Sequence, residues 1–333
     1  MVCWGVLLVF VLVSKLWGAF IHEGTQIAFA ALEEDTSITL YLTDIQRRMT
    51  IPLAFQTDRA ISFSPTRQLI YSQPTDDATS AIFRLAGDQR VQLSPPGASD
   101  QYPVWSPDGE QIAFIVTDAS SIRLFAMNAD GSARRDLSHE ACANIITVPV
   151  WLPDSRRIVF RYGRAELQTT CVVDSITGAV WDFTDETGIH GQPVWAADGI
   201  HVTYALENQN FANIYTAEVH GEQVINVRAL TNTFRTFNTQ PHWSPDGQQL
   251  VFISNRGGNR DLYTMDANGE QVLNVSNSHA NDFFPVWSPS GQQIAFISNE
   301  NGEWGIFLVN RDGTNRQRVT HGAARPVLLV WLP

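Results

Sequence analysis

Lysine is nearly missing from this chain. Among 22 basic residues in 333, Lys15 is the single lysine, so residues 24–333 carry arginine alone. Schiff-base chemistry needs a primary amine and is excluded there. Positive charge is in deficit as well. A formal net charge of −12 argues against nucleic acid as a partner and against docking onto anionic lipid. Linear catalytic signatures are missing: there is no Gly-x-Ser-x-Gly elbow, no His-Glu-x-x-His and no phosphate-binding glycine loop. Nor is there a His-x-x-x-His pair that would suggest zinc. Apolar residues do not recur at helical spacing over any long window. No Pro/Gly/Ser linker and no charge run divides residues 24–333, so the length does not imply two domains.

What the chain has is a repeat. Val104-Trp105-Ser106-Pro107-Asp108-Gly109, His242-Trp243-Ser244-Pro245-Asp246-Gly247 and Val286-Trp287-Ser288-Pro289-Ser290-Gly291 are its clearest copies. Weaker copies place the anchor aromatics at Phe63, Trp105, Trp151, Trp195, Trp243, Trp287 and Trp331. Each unit reads as four strands. In the unit of Trp243 these are the anchor strand, then 249–253, 261–265 and 272–275. Proline presets φ for the first central turn position, Asp suits the second, and Gly takes the left-handed conformation that re-enters a strand. Hairpins of the form Asn128-Ala129-Asp130-Gly131, Asp266-Ala267-Asn268-Gly269 and Asn310-Arg311-Asp312-Gly313 join third to fourth strands. Their Asp spacing lacks the alternating ligands and closing Glu of an EF-hand loop, so it reads as turn chemistry.

A repeat of this size built of short strands predicts an all-β, seven-bladed β-propeller of four-stranded antiparallel blades. Six or eight blades are the alternatives. Gly24-Thr25-Gln26-Ile27-Ala28-Phe29 matches Gly291-Gln292-Gln293-Ile294-Ala295-Phe296, yet residues 24–60 lack an anchor strand. Residues 326–333 supply it, so the N- and C-terminal segments pair and hide edges that would otherwise template aggregation. The expected organisation is residues 1–23 as signal peptide or membrane anchor and 24–333 as a single propeller, a monomer.

Val2–Val13 is a nearly unbroken apolar run outside the repeats, which points to export. No clean small-x-small cleavage site follows it. Any membrane association is expected through residues 1–21 only. Cys142 and Cys171 lie towards one face of the same blade; a disulfide, suited to an exported protein, and two buried thiols are both open.

The Pro-x-Trp-Ser-Pro-Asp-Gly phrase, the strand Gln-Gln-Ile-Ala-Phe-Ile-Ser, then Asp-x-Tyr-x-Met-Asp and a glycine turn, resemble the TolB-type (WD-repeat-like) propeller family. The resemblance covers nearly all of residues 24–333. It implies a protein-interaction role in the bacterial envelope, an extracytoplasmic (periplasmic or cell-surface) location, and an innermost anchor strand. The family's namesake has six blades behind a separate amino-terminal domain, whereas this chain shows seven units. Similar propellers precede the catalytic domain of prolyl-oligopeptidase-like peptidases.

Candidate site residues follow from the repeat. Five positions before the anchors lie Asp58, Asp100, His190, Asn238 and Asp282. With the anchor strand innermost, these ring the channel mouth, where they bind a cation or polar ligand or else cap their own loops. Phe234, Phe237, Phe283 and Phe284 share that face and are the partner-binding candidates. The anchor tryptophans are assigned to the core between blades. The expected function is a non-catalytic binding platform for an envelope protein or a saccharide, with no cofactor. The alternative is a propeller enzyme, a metal-assisted hydrolase or lactonase-like site with a divalent cation at the channel mouth.

Overall fold

The structure is a computed structural model that describes residues 26–33, 37–56, 61–75, 79–86, 89–118, 121–138, 145, 147–164, 167–182, 193–207, 210–221, 223–320 and 324–332. Asp58, Cys142, His190 and the apolar segment 1–23 lie outside the described residues. Among the described residues no helix is long and apolar enough to cross a membrane.

Seven four-stranded antiparallel sheets make up the propeller. Blade 1 is composite: Arg325–Trp331 pairs with Gln26–Leu32, which is followed by Ile38–Asp44 and Met49–Gln56. Ile27 lies opposite Trp331 and Phe29 opposite Leu329, so the two ends of the chain close the ring as expected. Blades 2 to 7 are each continuous in sequence. Their inner strands are Ile61–Phe63, Asp100–Trp105, Val150–Trp151, Val194–Trp195, Asn238–Trp243 and Asp282–Trp287. The outermost strands are the least regular. In blade 6 the fourth strand is Leu273–Asn274, shorter than the 272–275 expected. Such strands have little burial to hold them; all four residues of Gln89–Gln92 are exposed.

The core lies between blades. Second strands read as continuous apolar runs because both of their faces are covered. In blade 3, Ile112 and Phe114 pack with Ile70 and Ile82 of blade 2, whereas Ala113 and Ile115 pack with Trp151 and Ile158 of blade 4. The anchor aromatic sits in the same place at each junction. Trp105, Trp151, Trp195, Trp243, Trp287 and Trp331 are all buried against the preceding blade. Two indoles also tie neighbouring inner strands. Trp151 Nε1 donates to Val104 O, and Trp287 Nε1 donates to His242 O, each at 3.1 Å.

The repeated turn behaves as its residues require. Ser106 Oγ accepts from Gln111 N (2.9 Å) and donates to Asp108 Oδ1 (2.6 Å), and Gly109 N donates to Ser106 O (2.9 Å). Gly109, Gly199, Gly247 and Gly291 take φ of 76°, 68°, 67° and 68°, and where the glycine is missing, Arg67 and Ser155 adopt the same left-handed conformation.

A second repeat runs through the blade centres. An aromatic of the second strand stands opposite one of the third in Phe29–Tyr41, Tyr71–Phe83, Phe114–Phe125, Tyr204–Tyr215, Phe252–Tyr263 and Phe296–Phe307. Their ring centroids lie 5.1 to 5.9 Å apart. Blade 4 departs from this pattern, because Phe160 faces Cys171, a fully buried and disulfide-bonded residue.

Candidate functional site

Inner strands begin on one face of the disc, together with the loops joining second to third strands; this is the entry face. The Ser-Pro-Asp-Gly turns and the third-to-fourth hairpins lie on the opposite, exit face. Between them the inner strands enclose a central channel with a cavity of about 910 Å³. Its polar lining is Glu207, Thr239, Gln240 and His242, and the rest is apolar, including Trp151, Trp195, Phe284 and Leu328. His242 Nδ1 donates to Trp243 O at 3.1 Å, which leaves Nε2 as the unprotonated nitrogen. Desolvation holds the imidazole below its ordinary value.

Backbone geometry decides which side chains reach this channel. Tyr102, Gln240 and Phe284 have φ of 53°, 53° and 52°. Each sits at an inner-strand bulge, between Gln101 and Val104, Thr239 and His242, and Phe283 and Val286. Each also precedes a proline, which disfavours helical backbone before it and confines the chain further. A bulge leaves its extra residue unpaired and re-aims it. Gln240 and Phe284 accordingly line the cavity, and Phe284 N donates across the blade boundary to Gln240 Oε1 at 2.8 Å.

Asp100, Asn238 and Asp282 open their inner strands at equivalent positions, but each is fully buried and none lines the cavity. The bulge two residues later faces the channel, while the first residue turns into the wall of the blade. There it meets an arginine that lies over the aromatic pair. In blade 3, Arg134 spans Phe114 and Phe125 (4.8 and 4.9 Å) and holds Asp100 in a bidentate pair at 2.5 and 2.8 Å. In blade 6, Arg256 lies over Phe252 and Tyr263 (5.3 and 4.9 Å), and its Nη2 donates to Asn238 Oδ1 at 2.9 Å. In blade 7, Arg316 covers Phe296 and Phe307 (5.7 and 4.5 Å), but its Nη1 goes to Glu300 at 2.7 Å. Asp282 Oδ1 and Arg316 Nε and Nη2 are left without partners among the described residues. Burial pushes the Asp282 carboxyl up to about 6, against the partial relief of the Arg316 charge and of Ser278 Oγ, which donates to Oδ2 at 3.3 Å. The three positions share a role in blade architecture and do not meet one another around a common centre. Among the described residues no group of three His, Cys, Asp or Glu side chains is arranged to hold a metal ion.

Arg134 and Arg316 escaped the sequence reading although their signal is present. Gly131-Ser132-Ala133-Arg134 and Gly313-Thr314-Asn315-Arg316 place an arginine three residues after the hairpin glycine.

The four phenylalanines divide. Phe237 is half-buried; its backbone N–H donates to Asn255 Oδ1 at 2.8 Å, and its backbone bridges to Ala212 of blade 5. Phe234 is 74% exposed, beside Phe211 (6.4 Å) and Arg235 (5.3 Å). Phe284 is 45% exposed at the channel rim. Phe283 is half-buried against Trp304 at 5.8 Å. Phe234, Phe283, Phe284 and Trp304 all belong to the entry face of blades 5 to 7. Trp304 was not among the sequence candidates, because it lies in a loop outside the repeated phrases.

This geometry agrees with the comparisons to known proteins. The TolB beta propeller domain matches residues 15–230 and 225–331. The chain belongs to the TolB beta propeller family. No curated protein sequence matches it. Among solved structures, TolB from Acinetobacter baumannii is similar at 17% identity, covering 96% of this chain and 85% of that one, with a TM-score of 0.57. An oligogalacturonate lyase in complex with manganese is similar at 16% identity, covering 86% of each chain, with a TM-score of 0.68. A puromycin-hydrolyzing peptidase from Mycobacterium tuberculosis is similar at 13% identity with a TM-score of 0.63, over 92% of this chain but 48% of that one. At these identities the likeness is one of fold, and it spans TolB and enzymes alike.

Proposed function

We propose that the protein is a non-catalytic binding platform of the cell envelope that takes a protein partner on its entry face, through Phe234, Phe283 and Phe284. Phe284 carries this reading. Its ring is 45% exposed at the rim of an apolar channel, on a backbone with φ of 52°. Left-handed backbone at a bulky residue costs about 1–3 kcal/mol, and such strain concentrates at ligand-binding positions. Large aromatics at the edge of a concave apolar surface are effective interface anchors. An extracytoplasmic location is supported by the apolar run Val2–Val13 and by the disulfide at Cys171. Pairing of Cys171 with Cys142 belongs to the same proposal.

The test is photo-crosslinking in the full chain, expressed in its own cells, from a photoreactive residue at position 284. Position 176 serves as the control, since Ile176 is 72% exposed in a third-to-fourth hairpin on the exit face. One dominant protein adduct from 284 and none from 176 is the expected result. Equal adducts from both positions, or none from 284, defeat the reading.

A further inference from the structure

Four side chains on the entry face form a continuous row that crosses from blade 6 through blade 7 to blade 1. The Arg260 guanidinium lies over Phe283 at 5.4 Å, Phe283 meets Trp304 at 5.8 Å, and Trp304 lies under Arg325 at 4.4 Å. Both arginines are exposed, and neither is paired to a carboxylate among the described residues. The nearest acids on this loop are already engaged: Glu300 pairs with Arg316 at 2.7 Å and Glu303 with Arg318 at 2.9 Å. The row is also rigidly rooted. Arg260 O accepts from Asp282 N at 2.8 Å, and Arg260 N donates to Asn281 Oδ1 at 3.1 Å, so the base of this side chain is fastened to the next blade.

We propose that this row docks a short acidic, extended segment of a protein partner. The inference rests on the binding-platform reading and specifies the chemistry of what the platform takes. Stacking on a ring face leaves the donor edges of a guanidinium free and preorganised for a carboxylate. The row measures at most ~16 Å from one guanidinium to the other, and side chains four residues apart on one side of an extended strand are ~13 Å apart. Two carboxylates at that spacing meet Arg260 and Arg325 while the intervening chain lies over Phe283 and Trp304. The whole chain carries a net charge of −12, which repels extended polyanions. At physiological salt, fields are screened beyond about 8 Å, so a local pair of arginines still selects a local pair of acids. Nucleic acid and anionic membranes are disfavoured on the same ground.

The probe is a fluorescein-labelled extended peptide with glutamate at every fourth position among serine and threonine, titrated against the full chain by fluorescence anisotropy. Saturable binding is expected at physiological salt, where the net charge of the chain is screened, and should decline as salt is raised further. It should weaken ~10-fold or more in the Arg260→Gln/Arg325→Gln variant and for the glutamine version of the peptide. The Arg48→Gln variant, altered at an exposed exit-face arginine, should bind like the parent. No binding to the parent at physiological salt, or equal binding to parent and double variant, overturns the inference. The crosslink from position 284 separates the two proposals. An adduct there with no peptide binding removes the acidic-segment inference and leaves the platform. Peptide binding without an adduct supports the row and counts against a protein partner at Phe284.

Discussion

Asp282 keeps a carboxylate in a place closed to water, with Oδ1 unpartnered and the arginine that should face it turned to Glu300. Asp100 shows the same position with its arginine in place, and Asn238 shows it with an amide in place of the carboxylate. The consequence is a sign that most carboxylates do not have. Because burial raises the folded-state carboxyl from 3.8 to about 6, the native state holds a proton that the unfolded chain has released. Stability therefore falls as pH rises through that window and levels off above it. Asp282→Asn should flatten this slope and leave the variant more stable than the parent at neutral pH, by roughly 3 kcal/mol. The difference should vanish below the unfolded carboxyl range. Urea denaturation at acid and neutral pH measures it, and a variant less stable than the parent at neutral pH would show that Arg316 satisfies the carboxylate after all. That an acid recurs at this place was legible in the repeat. Its burial was not, because burial follows from a bulge two residues later that no residue type announces.

Turns between strands were the most legible elements, since Pro, Asp, Asn and Gly each act through their own backbone. Gly269 adds a tertiary reason. It has φ of 87°, and a Cβ there would sit 2.7 Å from Leu230 O of the preceding blade. Gly178 occupies the corresponding hairpin of blade 4 with φ of 72° and open space around it. Both substitutions to alanine suffer the left-handed strain, about 1 kcal/mol. Gly269→Ala should cost roughly 2 kcal/mol more, because the backbone of blade 5 has to move. Thermal denaturation of the two variants compares them directly, and equal losses would mean that the hairpin of blade 6 yields without disturbing Leu230. The inner-strand bulges at Tyr102, Gln240 and Phe284 were the least legible elements. The residue before a proline is ordinarily extended, and the left-handed conformation of these three goes with a bulge in the inner strand that no residue type announces.

Closure depends on one seam. Arg325–Trp331 is the inner strand of blade 1, and Leu329 and Trp331 share a core cluster with Ile306 and Leu308 of blade 7. Deleting residues 325–333 removes that strand and exposes the edge of Gln26–Leu32. The expected outcome is loss of the single cooperative unfolding transition, seen by calorimetry as a broadened or split endotherm. An unchanged transition would mean that blades 7 and 1 hold together without it. The same deletion removes Arg325 and with it one end of the row that starts at Arg260, so the entry-face surface exists only in the closed ring.

Fold class, blade number and the pairing of the chain ends were readable from spacing and turn chemistry, because each repeat must bury the same faces and turn at the same places. Which polar residues would be accessible was decided by tertiary structure alone. Asp100, Asn238 and Asp282 went into the blade walls, while Phe284 came to the channel rim and the pair Phe283–Trp304 came to lie between two arginines from different blades. Those placements depend on bulges and on neighbours 21 to 44 residues away in the chain, and the local pattern of a repeat holds no record of either.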